Sequence, residues 1–307
     1  MRAKHLRKGD LIGVVSPSSV VSPVERAQFD KGIRFLEGLG FRFKIAAHAC
    51  IGAGEAIPSP EERASDINAM FSDSSVQAVF CSQGGDTAEE CLHFIDWETI
   101  AANPKVFVGF SDITVLLDAI YAKTGLITFH GSDIVWDFGR EPTQYSKREF
   151  VSRLVEGKIG LVPQFGERKT VRGGSGEGRL LGGNLRCFLK LAGTPYFPDF
   201  EDSVLFIESY ETTPEKCRAQ LEQMRKLGVF DKISAAVVGY VYGLRAERGK
   251  LAQMEDILLE LTAGKDFPIL KANDFGHEWP NTVLPVGARV RVDADAKEIG
   301  ILEPCLE

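Results

Sequence analysis

The segment Lys105-Val-Phe-Val-Gly-Phe-Ser-Asp-Ile-Thr-Val-Leu116 carries the main indication of the fold. In it a short β-rich run passes through a Gly-Phe-Ser-Asp turn directly into a helical pattern. A second run, Val76–Cys81, is followed in the same way by Gly84-Gly85 and a helical stretch. Strands that alternate with helices predict a parallel sheet whose faces are covered by helices. The N-terminal half of the chain is therefore predicted to be an α/β domain of this kind.

The alternation continues on both sides of this segment. Hydrophobic periodicity and turn residues predict further strands over residues 11–15, 41–47, 127–130, 203–207, 235–241 and 283–292. They predict helices over residues 23–39, 60–71, 87–94, 112–123, 184–192, 214–227 and 253–262. Residues 136–164 are more polar and are expected to form a looser connection.

The stretch Arg172-Gly-Gly-Ser-Gly-Glu-Gly-Arg179 is the best candidate for a boundary between domains. Its glycines favour a flexible crossing, and it lacks the GxxxxGK[ST] pattern of a phosphate-binding loop. We predict an N-terminal α/β domain over residues 1–165, an interdomain linker over 166–176 and a C-terminal domain over 177–307.

The composition excludes several classes of function. The chain has 307 residues and a formal net charge of −7, whereas nucleic-acid and anionic-membrane partners require clustered Lys and Arg. No apolar run approaches the roughly 20 residues that a membrane-spanning helix needs. The five histidines lie far apart and the six cysteines form no CxxC pair, so no metal or other cofactor is predicted. Reduced, buried thiols in a cytoplasmic protein are the simplest interpretation of the cysteines.

Ser111 is the candidate nucleophile. A serine on a tight turn between a strand and a helix exposes its hydroxyl, and the first backbone N–H groups of the helix can stabilise an oxyanion. The GxSxG pattern is not met, because residue 113 is Ile. A helix cap made by Ser111 or Asp112 is the alternative interpretation of the same motif.

Two further polar residues stand where strands end or meet loops. Glu208 directly follows an apolar run, and a buried carboxylate there requires a partner such as a histidine N–H. His277 follows a glycine in a loop between predicted strands and suits general-base work near neutral pH. A solvated Glu208 and a surface His277 are the alternatives, and His130, also at a strand end, is a rival base.

Taken together, these residues match the general scheme of a serine hydrolase. In that scheme Ser111 attacks a carbonyl carbon, His277 takes and returns the proton, and Glu208 orients and stabilises the imidazolium. Whether the three side chains converge depends on the tertiary structure.

Several segments resemble the LD-carboxypeptidase serine peptidases, a family that includes the microcin C self-immunity proteins. The matching segments span nearly the whole chain in the expected order: Gly9-Asp-Leu-Ile-Gly-Val-Val-Ser-Pro-Ser18, Glu62-Arg-Ala-Ser-Asp-Ile67, Gly84-Gly-Asp-Thr87, Gly109-Phe-Ser-Asp112, Lys123-Thr-Gly-Leu-Ile-Thr-Phe-His-Gly131, Gly178-Arg-Leu-Leu-Gly-Gly-Asn-Leu185, Leu205-Phe-Ile-Glu208, Gly276-His277 and Leu284-Pro-Val-Gly287. The resemblance implies an N-terminal parallel α/β domain, a smaller β-rich C-terminal α/β domain, an active site between them and a homodimer.

The resemblance also implies roles for individual residues. The family nucleophile falls on Ser111, its acid on Glu208 and its base on His277, which leaves His130 as a supporting residue. Two oxyanion donors are implied as well, namely the backbone N–H groups of Gly85 and Asp112.

The implied substrate is a small peptide, such as a muropeptide, whose C-terminal amide is cleaved. Two features look closer to the immunity branch, which cleaves peptidyl-nucleotide conjugates: Asp86-Thr87 replaces an aromatic found in the carboxypeptidase branch, and residues 120–129 and 229–235 are similar to that branch. The candidate substrate-binding residues are Asp86, Thr87, Trp136 and Phe138, with the two aromatics placed for stacking on a base.

Two other classes of function remain open from the sequence. One is a non-catalytic small-ligand binding protein on an α/β scaffold, in which Ser111 only caps a helix. The other is a nucleotide-dependent enzyme, against which the missing GxGxxG and P-loop patterns argue.

Overall fold

The computed structural model describes residues 1–244, 253–277 and 280–307, and the α/β prediction is confirmed in them. Their strands are β1 (Leu11–Val15), β2 (Arg42–Ile45), β3 (Val76–Cys81), β4 (Val106–Gly109), β5 (Thr128–His130), β6 (Gly160–Leu161), β7 (Arg168–Arg172), β8 (Ser175–Asn184), β9 (Ser203–Tyr210), β10 (Ile233–Tyr242), β11 (Ile269–Gly276), β12 (Leu284–Val286), β13 (Arg289–Asp293) and β14 (Glu298–Ile301).

Helices cover both sheets. They are α1 (Arg26–Gly38), α2 (Pro60–Ser72), α3 (Trp97–Ala102), α4 (Thr114–Thr124), α5 (Gln144–Phe150), α6 (Leu185–Phe188), α7 (Pro214–Lys226) and α8 (Met254–Leu261). Short 3₁₀ or π turns lie at Ala88–Phe94, Ser111–Ile113, Ile134–Phe138, Val151–Val155, Leu189–Leu191 and Val229–Asp231. None of the helices in the described ranges combines the length and apolar character needed to cross a membrane.

The first sheet has the strand order β12-β5-β4-β3-β1-β2. Strands β1 to β5 run parallel, and β3 and β4 are buried almost throughout, as strands covered on both faces should be. The edge strand β12 comes from the C-terminal part of the chain and pairs antiparallel with β5, with Leu284 opposite His130. The two halves of the sequence are therefore joined by a shared sheet.

The second sheet has the strand order β6-β14-β13-β8-β9-β10-β11-β7. Its centre, β8 to β11, is parallel, and antiparallel strands flank this centre on both sides. Strand β8 ends at Asn184, β11 ends at Gly276, and Glu208 lies near the end of β9, so three distant segments meet at the carboxyl ends of these parallel strands. These carboxyl ends face the carboxyl end of β4, which Ser111 follows.

The glycine-rich stretch 172–179 is not a flexible crossing. Strand β7 lies within the predicted linker 166–176, and β8 begins at Ser175. A Cβ added to Gly176 would lie 2.0 Å from the carbonyl oxygen of Ser234, and one added to Gly178 would lie 2.2 Å from that of Asp202. These glycines permit close packing of the backbone, so their sequence signal was misinterpreted as flexibility. The division into domains at 165 and 177 stays a prediction.

Residues 136–164 are more regular than their polarity indicated. They contain α5 and the turn at Val151–Val155, and Phe150 packs edge-on against Phe41 at 5.9 Å between ring centroids. Arg153, buried in this segment, forms an ion pair with Glu149 at 3.3 Å. Polar residues in this segment are therefore compatible with a packed interior, because these two buried charges are paired.

Candidate active site

Ser111 follows β4 on a tight turn with a left-handed backbone, at φ 60°. Such a conformation is uncommon for a residue other than glycine and is typically held by its surroundings. The flanking turn has no room for side chains: a Cβ on Gly109 would lie 2.2 Å from Ile113 Cγ2. Neither the 3₁₀ turn at Ser111–Ile113 nor α4 has a side-chain cap, so the helix-cap interpretation is wrong.

Ser111, His277 and Glu208 are connected by a continuous chain of hydrogen bonds. Ser111 Oγ is 2.8 Å from His277 Nε2, and His277 Nδ1 is 2.7 Å from Glu208 Oε2. The histidine side chain keeps 13% of its surface exposed, while Glu208 is fully buried. The structure thus brings together the three residues that the sequence singled out, in the order hydroxyl, imidazole, carboxylate.

Glu208 lies at the end of β9, where burial would otherwise penalise its charge. Its second oxygen, Oε1, accepts a hydrogen bond from Asn184 Nδ2 at 2.9 Å. Burial on its own would raise the pKa of Glu208, but the charge and hydrogen bond of His277 outweigh it and hold the pKa below its usual value. Glu208 is therefore an ionised acceptor that fixes His277 Nδ1 as a donor.

His277 is placed by the end of β11. Gly276, at φ 134°, lies so close to the neighbouring strand that an added Cβ would be 2.4 Å from the carbonyl oxygen of Tyr240. The N–H of Gly276 donates to Asn281 Oδ1 at 2.8 Å. The rings of Phe110 and Tyr210 pack against the imidazole, at 4.4 and 4.7 Å between centroids. The ring is thus held between aromatic side chains with both nitrogens bonded.

His130 has a different environment. It is completely buried, and within the described residues neither ring nitrogen has a hydrogen-bond partner. The rings of Phe110, Phe206 and Phe275 surround it, at 5.1, 5.3 and 6.0 Å. Burial lowers the pKa of His130 to about 4, so it is neutral near pH 7. It makes no hydrogen bond to Ser111, and His277 occupies that place.

The Gly84-Gly85 turn lies directly beside the serine. A Cβ on Gly84 would lie 2.7 Å from Ser111 Cβ and 3.4 Å from the backbone nitrogen of Asp112. Gly85, at φ 151°, has no room for a side chain because an added Cβ would be 2.4 Å from Ser18 Oγ. The glycines let the turn approach Ser111 more closely than any other residues could.

A cavity of about 830 Å³ opens onto Ser111 and His277. Trp136 lines it with 42% of its surface exposed, and its Nε1 donates to Gln83 Oε1 at 2.9 Å. The guanidinium of Arg140 lies 5.1 Å from the Trp136 ring centroid. Thr87 also lines the cavity, and its hydroxyl accepts from Arg63 Nη1 at 2.8 Å.

Two of the predicted substrate-binding residues lie elsewhere. Phe138 is fully buried, stacked on Phe35 at 5.6 Å, and belongs to the core because the turn at Ile134–Phe138 rotates its ring inward. Asp86 is not among the residues that line the cavity, and its side chain pairs with Arg186 at 2.8 Å and Lys190 at 3.0 Å. The prediction of substrate contact is therefore wrong for the Phe138 ring and unsupported for Asp86.

The sequence did not single out several polar residues that hold the site. Asn184 supports Glu208, and Lys190 pairs with Asp112 at 2.8 Å. Arg63 is buried in α2 and donates to the carbonyl oxygens of Pro17 and Ser18 at 2.7 and 2.9 Å. Arg63 could have been found as an arginine on the apolar face of a predicted helix. The partners of Asn184 and Lys190 are distant in sequence, so no local signal marks them.

No group of three or more His, Cys, Asp or Glu residues is arranged to hold a metal ion in the parts of the chain that the structure describes. The polar groups around Ser111 are a hydroxyl, an imidazole, carboxylates, a lysine and backbone N–H groups.

Known proteins resemble this chain over nearly its whole length. The sequence model of the LD-carboxypeptidase N-terminal domain family matches residues 12–131, and the sequence model of the C-terminal domain family matches residues 177–292. The microcin C7 self-immunity protein MccF of Escherichia coli is 31% identical over 99% of this chain and 96% of its own length. A probable murein peptide carboxypeptidase of Bacillus subtilis is 30% identical over 100% of this chain and 97% of its own.

The solved structure of MccF without ligand superposes with a TM-score of 0.92 and 28% identity over the whole of both chains. MccF has also been solved with aspartyl sulfamoyl adenosine and with glutamyl sulfamoyl guanosine, again at a TM-score of 0.92 and 28% identity. Both family models and relatives of nearly full length match, so the chain belongs to the LD-carboxypeptidase family and is a peptidase of that family.

Proposed function

We propose that the chain is a serine carboxypeptidase that cleaves the C-terminal amide of a small peptide through Ser111, His277 and Glu208. The observation that carries this proposal is the unbroken line of hydrogen bonds from Ser111 Oγ through His277 to the buried Glu208, with distances of 2.8 and 2.7 Å. These distances lie within the range of productive proton transfer. The line ends at the cavity, where a substrate carbonyl can reach the hydroxyl.

The proposed reaction is an acyl transfer in two stages. Ser111 Oγ attacks the amide carbon while His277 Nε2 takes the hydroxyl proton, and Glu208 stabilises the imidazolium. His277 then gives this proton to the leaving amine as the C–N bond breaks. A water molecule then attacks the acyl-serine ester while His277 Nε2 takes one of its protons. The bond between the acyl carbon and Ser111 Oγ breaks, His277 returns the proton to Ser111 Oγ, and the acid is released.

The negative charge on the tetrahedral oxygen needs donors, and we assign these to the backbone N–H groups of Gly85 and Asp112. Among the described residues neither N–H donates to a backbone carbonyl outside its own helical turn or strand. The close approach of Gly84 to Ser111 and to the backbone nitrogen of Asp112 supports the assignment, because it places the Gly84-Gly85 turn beside the nucleophile. Preorganised donors of this kind are among the largest contributors to catalysis.

The cavity supports a peptide-sized substrate. Its volume of about 830 Å³ lies in the usual range for small-molecule sites. A muropeptide with a free C-terminus is the first substrate that we propose, in keeping with the murein peptide carboxypeptidase among the relatives.

A second candidate is a peptidyl- or aminoacyl-nucleotide conjugate. The observation that favours it is Trp136, whose ring is exposed in the cavity and fixed in place by its hydrogen bond to Gln83. A fixed aromatic plane suits stacking on a base. The aminoacyl sulfamoyl nucleosides bound to MccF are of this chemical class.

We also propose that the protein acts in the cytoplasm as a homodimer. All six cysteines are free thiols, which fits a reducing compartment. The dimer is an implication of the family resemblance. Sedimentation velocity measures it directly, and a monomer at micromolar concentration would contradict it.

The test of the proposed function is hydrolysis by the wild type and by Ser111→Ala. Each variant is incubated with a muropeptide tetrapeptide and with an aspartyl sulfamoyl nucleoside, and released D-Ala or nucleoside sulfamate is measured by mass spectrometry. We expect turnover by the wild type and loss of it in Ser111→Ala.

The matched control is Ser65→Ala, in which an exposed serine of α2 is changed and turnover should persist. Unchanged turnover in Ser111→Ala would falsify the assignment of the nucleophile. Binding of either substrate by the wild type, without release of product and without labelling of Ser111 by a fluorophosphonate, would favour a non-catalytic binding protein.

A further inference from the structure

The buried carboxylate of Asp112 has no role in the proposed reaction, which uses only the backbone N–H of this residue. The side chain is completely buried, yet both oxygens are occupied. Asp112 Oδ2 accepts from Ser18 Oγ at 2.6 Å and from the Ala88 N–H at 2.8 Å. Asp112 Oδ1 accepts from Lys190 Nζ at 2.8 Å.

The donors to Asp112 come from separate parts of the chain that meet around the Gly84-Gly85 turn. Ser18 lies in the loop after β1, and its hydroxyl oxygen accepts from the Thr87 N–H at 3.3 Å. Ala88 begins the helical turn that follows Gly85. Through this carboxylate, the turn that carries one proposed oxyanion donor is connected to the residue that supplies the other.

Lys190 is the cation of this group and comes from the C-terminal half of the chain, in the turn at Leu189–Leu191. Besides Asp112, its ammonium contacts the Asp86 carbonyl oxygen at 2.6 Å and Glu89 Oε2 at 2.9 Å. Its side chain retains only 18% exposure. The lysine therefore binds the segment that directly follows the Gly84-Gly85 turn and, at the same time, the nucleophile turn.

A buried carboxylate without a counter-ion is strongly unfavourable. Burial alone would raise the pKa of Asp112, but the hydrogen bond and charge of Lys190, together with Ser18, keep it below its usual value. Burial alone would lower the pKa of Lys190, but the hydrogen bond and charge of Asp112, together with the hydrogen bonds to Glu89 and Asp86, raise it. The Asp112 carboxylate and the Lys190 ammonium are thus both charged over the neutral pH range.

We infer that Lys190 is a positioning residue: its ion pair with Asp112 holds the Gly84-Gly85 turn against the Ser111 turn at the separation that oxyanion binding requires. This inference rests on the proposed function. Lys190 is absent from the lining of the cavity, and its ammonium is used by protein acceptors, which argues against direct contact with substrate. It acts through the backbone groups that it positions.

Kinetics of Lys190→Met test the inference. The variant keeps an unbranched side chain that is one heavy atom shorter and removes the charge. Misplacing an oxyanion donor by a fraction of an ångström weakens binding of the transition state more than that of the substrate, so we expect kcat to fall about 10- to 100-fold with KM changed less than about 3-fold. Lys190→Arg, which keeps the charge, should recover most of the lost kcat.

Lys232→Met is the matched control. Lys232 pairs with Asp199 at 2.6 Å on the surface, with 43% of its side chain exposed. The same substitution there should leave kcat and KM unchanged. If Lys190→Met behaves like Lys232→Met in both constants, the inference is wrong.

Hydrogen–deuterium exchange provides a readout that does not require turnover. Peptides covering residues 84–91 and 110–117 should exchange several-fold faster in Lys190→Met than in the wild type or Lys232→Met. Equal exchange would overturn the inference even if the wild type hydrolyses neither substrate. The wild type could also show no turnover while Lys190→Met still speeds exchange in these peptides. That result would refute the proposed function and leave the structural effect of the ion pair established.

If Lys190→Met does not fold, the double variant Asp112→Asn/Lys190→Met replaces it, because both charges are then removed together. It should fold, exchange faster at residues 84–91 and keep a lowered kcat. Wild-type kcat in the double variant would contradict the positioning role.

Discussion

Two histidines flank the ring of Phe110, and their surroundings differ completely. His277 packs on one side at 4.4 Å and has a hydroxyl and a carboxylate bonded to its two nitrogens. His130 lies on another side at 5.1 Å, enclosed by phenylalanines and without a hydrogen-bond partner among the described residues. The polar neighbours of each ring, which come from distant segments, therefore decide which of the two can move protons.

The difference shows what a sequence motif leaves undetermined. Both histidines stand next to a glycine at the end of a β-run, and both suit general-base chemistry by residue type. Burial is the largest cause of the lowered pKa of His130, whereas His277 Nδ1 has the buried carboxylate of Glu208 as its hydrogen-bond acceptor. The four predictions that follow test this contrast.

The largest expected effect comes from replacing each histidine by phenylalanine. His277→Phe removes the proposed base, so kcat/KM should fall on the order of 10³- to 10⁴-fold or more. His130→Phe retains a ring in an aromatic environment and should keep kcat/KM within about 10-fold. Steady-state hydrolysis of the substrate identified for the wild type measures both. Equal losses would mean that the two rings are not distinguished as described.

The next effect concerns the acceptor of His277. In Glu208→Gln the amide group presents a donor or a neutral oxygen to His277 Nδ1, which disfavours the tautomer needed for proton transfer. We expect kcat to fall about 10²- to 10⁴-fold, with KM changed little. Glu149→Gln is the control, because Glu149 is also buried but pairs with Arg153 away from the cavity. Glu149→Gln should lower the free energy of unfolding and leave kcat unchanged.

The third effect is on stability in acid. The pKa of His130 is about 4 in the folded protein and about 6.5 in an unfolded chain, so the unfolded state binds more protons between these values. The contribution of neutral His130 to the free energy of unfolding is fully present above pH 6.5 and is lost as the pH falls toward 4. A shift of this size corresponds to about 3 kcal/mol, as an order of magnitude.

Urea unfolding at pH 7 and at pH 4 measures this contribution. Between these pH values the wild type should lose about 3 kcal/mol more free energy of unfolding than His130→Phe. If both proteins lose the same amount, His130 is not the group that binds the proton.

The smallest effect concerns the ring that the two histidines share. Phe110→Leu removes aromatic contacts to both and should lower the free energy of unfolding by about 1 kcal/mol, with kcat reduced only a few-fold. Phe35→Leu, which disrupts the stack on Phe138, serves as the control and should lower stability without a change in kcat. Chemical unfolding and initial rates check both variants. An unchanged stability in Phe110→Leu would show that the contacts contribute nothing measurable.

Local sequence patterns predicted the strands and turns of the site well. The β-run 76–81 and the turn at Ser111 lie where the pattern placed them, because apolar runs and glycine turns have local causes. The stretch 172–179 was misinterpreted because the same glycines serve flexibility or close backbone packing, and only neighbouring strands distinguish the two. Lys190 and Asn184 could not be identified because their partners lie in other segments.

The pairing of β12 with β5 also has a consequence for biosynthesis. Roughly half the chain lies between these strands, so at about 5–20 residues per second the ribosome needs about 10–30 s to deliver β12 after β5. During that time the sheet that carries Ser111 has an open edge, and His277 has not yet been made. Until β12 has been made, the open edge at β5 can therefore pair with the strand of another chain, so the nascent chain is exposed to aggregation there.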